Sequence, residues 1–85
     1  MNLDKLKRAL VSNKVKVGTE ITLKALKKGE AKEVFISNNC PEELLKQVKK
    51  YCEIIGAGVN QLDMNNEELG VVCKKPFSIN ICYSY

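Results

Sequence analysis

The sequence contains no histidine, no tryptophan and only two prolines, and Arg8 is the single arginine among its fourteen basic residues. Without histidine the chain lacks the side chain that most often carries protons near neutral pH and most often ligates metals. The four cysteines, Cys40, Cys52, Cys73 and Cys82, stand far apart with no C-x-x-C pair, so the common zinc-ligand spacings are missing. Aspartate is confined to Asp4 and Asp63. Neither G-x-G-x-x-G nor G-x-x-x-x-G-K-[ST] occurs, which leaves a mononucleotide or dinucleotide site unsupported. With one arginine, fork-like bidentate reading of guanine is largely unavailable. No stretch reaches the roughly 18 apolar residues of a membrane span, and the opening MNLDKLKRAL carries charges where a signal peptide places its apolar run. These absences predict a soluble, unsecreted, cytoplasmic protein that is not an enzyme, with no catalytic residue, no metal and no cofactor.

What is present is the balance of an ordinary globular domain: 85 residues, 45% hydrophobic and 28% charged. That length predicts a single domain over residues 1–85. The net charge of +4 is unevenly placed. Residues 1–32 hold nine Lys or Arg against three acids, and residues 33–85 hold five against seven. The front therefore carries +6 and the remainder −2, an asymmetry suited to a polyanion. The cysteines are expected to be free, mostly buried thiols, since nothing in the sequence addresses the chain to an oxidising compartment.

Leu3, Leu6 and Leu10 fall at helical spacing behind Asn2, which predicts a helix over residues 3–12 with Asn2 as its cap. Val15 and Val17 alternate with lysines in a short strand, and Gly18-Thr19 turn into a second helix that ends at Lys28 before Gly29. Residues 33–37 form a β-rich run, and Asn38-Asn39-Cys40 leads to Pro41 as first residue of a third helix. Leu44, Leu45, Val48, Cys52 and Ile55 make its apolar stripe, and Gly56 stops it. A strand over 59–62 is followed by a short helix capped by Asn66 and by a Lys74-Lys75-Pro76 loop. Phe77, Ile79, Ile81 and Tyr83 then alternate as a final strand. Strands alternating with helices predict an α/β fold, a three-layer α/β/α sandwich around a four-stranded mixed, largely parallel sheet.

The Gly18-Thr19 turn sits after a strand and before a helix, where free backbone N–H groups can meet phosphate. At about 100° per residue, Thr22, Leu23 and Leu26 share one side of the second helix while Lys24, Lys27 and Lys28 lie opposite. Ile21 falls beside that lysine-rich face, either a harmless surface isoleucine or a partner contact. Cys40, next to Pro41, is the one thiol placed near a helix N-terminus, and a structural role outweighs a reactive one.

The segments GTEITLKALKKGEAKEVFISNNCP and EELGVVCKKPF resemble the L-thirty-e branch of the L-seven-Ae and L-thirty-e ribosomal proteins, and the likeness runs nearly end to end. Gly18, Lys24 and Gly29 match a glycine, lysine and glycine that the wider family shares. The resemblance implies a protein of the large ribosomal subunit that grips a kink-turn, an RNA helix bent sharply at tandem sheared G·A pairs. By that resemblance the RNA-binding residues are Gly18, Thr19, Glu20, Lys24 and Lys28 on the second helix, Asn38 and Asn39 in the loop after the second strand, and Lys74, Lys75, Pro76 and Phe77 before the last strand. Each has a plainer role open to it: the asparagines as turn and cap residues, Phe77 as core, the lysines as solvated surface. The family usually carries polar or basic residues where this chain has Glu20 and Ile21, and glycine where it has Lys74.

The first expectation is thus a kink-turn RNA binder, partnered by ribosomal RNA and the large subunit, monomeric outside that particle and without a membrane partner. The alternative is a protein-protein module of the same fold that uses Ile21 with the mixed Glu20, Lys24 and Lys28 face. A thiol-based redox protein centred on Cys40 is a third.

Overall fold

The computed structural model describes residues 2–85, with Asn2 described by its backbone alone, so the expected Asn2 side-chain cap lies outside the described residues. In chain order the elements are α1 (Asn2–Val11), β1 (Val15–Val17), α2 (Thr19–Lys28), β2 (Glu33–Ile36), α3 (Glu42–Ile55), β3 (Gly58–Gln61), α4 (Asn66–Val72) and β4 (Ile81–Ser84). The α2 and α3 stops form as their glycines direct. Gly29 and Gly56 take φ of 72° and 74°, the left-handed conformation that glycine reaches without strain.

The strands form one sheet in the order β1-β4-β2-β3. The α/β class and the mixed four-stranded sheet are as expected, but the sheet is not largely parallel. Only β2 and β3 run parallel, and β4 pairs antiparallel with both β1 and β2. Alternation of strands and helices suggested repeated parallel crossovers, but it does not say at which end the last strand enters. β4 enters between β1 and β2, and all four of its residues are buried. A central strand covered on both faces suits apolar side chains at successive positions.

The two faces carry separate cores. Val34, Ile36, Ile81 and Tyr83 pack with Ala25 and Leu26 of α2 and with Val48 and Cys52 of α3. On the opposite face Phe35 and Cys82 pack with Leu6 of α1, with Leu69 of α4, and with Cys73 and Ile79. Period-two alternation along β2 and β4 thus feeds two helical layers, giving the three-layer sandwich.

Three boundaries correct the sequence reading. Pro41 is the cap before α3, not its first residue. Asn65, not Asn66, caps α4: its side chain accepts the Glu68 N–H while the Glu68 carboxylate accepts the Asn65 N–H, a reciprocal capping box. The final strand starts at Ile81, so Phe77 and Ile79 precede it. The strand expected over 59–62 lies one residue earlier.

Candidate nucleic-acid interface

The topology gathers loops at one end of the sheet. Strands β1, β2 and β3 run together and β4 runs against them, so the residues after the first three and before the fourth share an edge. Short backbone bonds close it: Gly18 N–H to the Ile81 carbonyl at 3.2 Å, Ser37 N–H to Asn80 at 2.9 Å, Asn38 N–H to Met64 at 2.8 Å and Ile79 N–H to Asn66 at 2.9 Å.

At this edge Gly18 caps α2 with φ 119° and ψ 146°, a conformation closed to most side chains. It provides no side-chain cap. The Thr22 N–H returns to the Gly18 carbonyl at 3.0 Å, while the preceding amides of the first turn have no intrahelical acceptor by geometry. Those N–H groups and the positive end of the helix form an anion-receptive surface. Glu20 is exposed in the same turn, where it suits the helix dipole and opposes an incoming phosphate. Ile21 is half exposed, as the helical wheel placed it, and Thr22, Ala25 and Leu26 are buried on the inner side. Lys24 and Lys28 are exposed about 8 and 14 Å along the axis from Thr19, so Lys28 lies well back from the loop edge.

Both asparagines are exposed, and they differ in their partners. Asn38 is tied by its backbone N–H to the Met64 carbonyl. Asn39 is engaged: its side-chain N–H donates to Asn66 Oδ1 at 2.8 Å, and its Oδ1 accepts the Asn66 backbone N–H at 2.9 Å.

Phe77 is 55% exposed, which excludes the core role the sequence left open. Its backbone is pressed against Gly70 of α4, where an added Cβ would be driven into the Phe77 carbonyl oxygen. Lys74 holds φ 59°, the left-handed conformation glycine favours. Lys74 and Lys75 stand at the far end of α4 and line a groove of about 580 Å³ with Lys7, Leu10, Val15 and Val17. That groove includes Val15, at the opposite end of β1 from Gly18, so Lys74 and Lys75 are set back from the edge on the α1 and α4 face, as Lys28 is on the α2 side. The structure therefore brings Gly18, Thr19, Asn38 and Asn39 to one edge with the Phe77 loop beside them, and leaves Lys28, Lys74 and Lys75 set back from it.

Sequence reasoning missed Asn66 as a partner of this edge. The pattern Asn65-x-x-Glu68 carries the capping-box signal, and assigning the cap to Asn65 would have left Asn66 free for another task.

Cys40, the thiol nearest a helix N-terminus, is not activated. All four cysteines are free. Burial raises the Cys40 thiol above its ordinary pKa, the reverse of nucleophile activation. Cys82 donates to the Cys73 sulfur, which holds Cys73 low and Cys82 high. Among the described residues no group of three or more His, Cys, Asp or Glu is placed to hold a metal ion, and no helix is long and apolar enough to cross a membrane.

Comparison with known proteins agrees with this architecture. Large ribosomal subunit protein eL30 of Archaeoglobus fulgidus is 39% identical over 74 residues, covering 87% of this chain and 81% of that protein. The eL30 of Methanocaldococcus jannaschii is 36% identical, covering 87% and 67%. A 15.5 kD RNA-binding protein of Giardia lamblia shares the fold with a TM-score of 0.78 at 22% identity, covering 92% of this chain and 65% of that one. A Bacillus halodurans protein of unknown function superposes with a TM-score of 0.80 at 20% identity over 93% and 78%. The eL30 relatives favour a ribosomal protein over an enzyme and do not favour the protein-contact alternative. Residues 2–84 match the ribosomal protein L7Ae/L30e/S12e/Gadd45 family, and the chain belongs to it.

Proposed function

We propose that this chain is a large-subunit ribosomal protein that binds a kink-turn in RNA, acting in the cytoplasm as one domain over residues 1–85 and monomeric outside the particle. The observation that carries the reading is the single edge at which the open N-terminus of α2, the exposed Asn38 and the half-exposed Phe77 loop stand side by side. Each offers a different chemistry. The amides after Gly18 suit a phosphate, the Asn38 amide can donate and accept at a base edge, and the Phe77 ring can support an unstacked base. Lys24, with Lys28, Lys74 and Lys75 set farther back, supplies sequence-independent attraction. The eL30 names of the relatives point to the large subunit as the particle.

A kink-turn fits such an edge better than a straight duplex. Its bend exposes bases and brings two backbones close, so contacts a few residues apart in the protein can be made together. The test is binding of the purified chain to a kink-turn RNA and to a matched duplex without the G·A pairs, at several salt concentrations. Tight binding to the kink-turn alone is expected, with Lys24→Ala lowering the salt slope by about one. Equal or absent binding to both RNAs overturns the reading, and salt-insensitive capture of a protein partner through Ile21 would then favour the alternative.

A further inference from the structure

Two loops of the candidate interface are fastened to one residue that lies outside both. The Asn39 side chain donates to Asn66 Oδ1 at 2.8 Å and accepts the Asn66 backbone N–H at 2.9 Å. Because a backbone amide can only donate, it fixes which end of the Asn39 amide is oxygen, and Asn66 Oδ1 must then be the acceptor of the second bond. On its other side the Asn66 carbonyl accepts the Ile79 N–H at 2.9 Å. Asn66 thus grips the loop after β2 with its side chain and amide, and the loop before β4 with its carbonyl. It is itself only partly exposed, while Asn38, Asn39 and Phe77 are exposed on the two segments it joins, and of the two asparagines it is Asn39 whose side chain is taken up by Asn66.

We propose that Asn66 is a positioning residue for RNA recognition, setting the spacing between Asn38 and Phe77 through Asn39 and Ile79 without reading RNA itself. The inference rests on the RNA-binding reading above and divides the asparagine pair, with Asn38 facing the ligand and Asn39 holding the frame. Selection of a bent RNA depends on groups held at fixed separations. Attraction by long, flexible lysines tolerates small displacements of the loops. Loosening the Asn39–Asn66 contact therefore reduces discrimination between RNA shapes and leaves the number of phosphate contacts unchanged.

The experiment uses the full chain as wild type, Asn39→Ala, Asn66→Ala, the double variant and Asn66→Asp. Each is titrated with a kink-turn RNA and with a matched duplex lacking the G·A pairs, over a salt series. Either alanine variant is expected to lower the kink-turn-to-duplex affinity ratio about tenfold, and the double variant no further, because both break the same contact. The salt slope stays at the wild-type value. Asn66→Asp keeps an oxygen acceptor for the Asn39 amide and retains the ratio, its added charge weakening both RNAs alike. In Asn39→Ala the Asn66 amide exchanges faster with solvent while the thermal midpoint is held. A discriminating wild type whose ratio survives Asn66→Ala, or alanine losses that multiply in the double variant, overturns this inference alone. A wild type that binds both RNAs equally overturns the RNA-binding reading and this inference with it.

Discussion

Replacing Gly70 by alanine sets two opposing effects against each other. Gly70 lies within α4, where alanine is the better helix former by about 1 kcal/mol, so local propensity alone predicts a more stable protein. The surroundings predict the opposite. An added methyl group would be driven into the Phe77 carbonyl oxygen and would stand 3.2 Å from the Phe77 carbonyl carbon and 3.4 Å from the Ser78 Cα. All three are backbone atoms, which have no rotamer to swing aside. The loop is also pinned at both ends, by Lys75 N–H to the Gly70 carbonyl at 2.9 Å and Ile79 N–H to Asn66 at 2.9 Å. It must retreat by on the order of 1 Å to restore van der Waals separation.

Overpacking costs about 1–3 kcal/mol, and against backbone atoms that cannot swing aside the upper part of that range, about 2–3 kcal/mol, applies. Set against the helix gain, Gly70→Ala is expected to destabilise by roughly 1–2 kcal/mol, lowering the thermal midpoint by about 5–15 °C in a chain of this size. Urea unfolding followed by circular dichroism checks it, with the midpoint falling at constant slope. Kink-turn affinity should fall as well, because the displaced segment carries Phe77. Gly58→Ala is the control: there the obstruction is the Glu33 carboxylate, the mobile end of a side chain, held by Asn60 at 2.8 Å and Lys5 at 3.4 Å. Its loss should be the smaller of the two. A Gly70→Ala protein as stable as wild type would refute the close approach of loop and helix.

Lys74→Gly should raise stability by about 0.5–1 kcal/mol in the same urea assay. It relieves the left-handed strain of a lysine at φ 59° at some cost in backbone entropy. Thr22→Val is expected to be neutral or stabilising by about 1 kcal/mol in a thermal melt, because the fully buried Thr22 hydroxyl has no hydrogen-bond partner among the described residues. Burial pushes the Cys52 thiol from 9.0 up to about 11, with Glu33 adding to the shift. Between those values the unfolded chain loses the Cys52 proton and the folded chain keeps it, so stability falls as pH rises. The loss reaches roughly 2–3 kcal/mol by pH 11 and should be missing from the pH slope, whatever the baseline, of Cys52→Ala.

The helices were legible because their signals are local. The α3 stripe of Val48 and Cys52 repeats at helical spacing, and Gly29 and Gly56 end their helices through a conformation only glycine takes easily. The glycine turn into α2 was legible for the same reason. The start of β4 was not. Phe77 and Ile79 continue the alternation of Ile81 and Tyr83, but the approach of the Phe77 carbonyl to Gly70 holds that segment on α4 and out of the sheet. Nor could the sequence tell Asn38 from Asn39, since the partner that occupies Asn39 is 27 residues away.

The correction to the sheet has a functional consequence. Had β4 entered parallel to β2, the loop carrying Phe77 would have met the sheet at its opposite end. That is about one strand length, roughly 13 Å for four residues, from Asn38 and Gly18. The antiparallel register instead sets Ile81 opposite Ile36 and carries the ladder outward through Ser37 to Asn80 and through Gly18 to Ile81. The candidate interface is therefore a product of strand direction before it is a product of any side chain. A chain with the same loops and the last strand reversed would have the same lysines, asparagines and phenylalanine, and no common edge on which to use them.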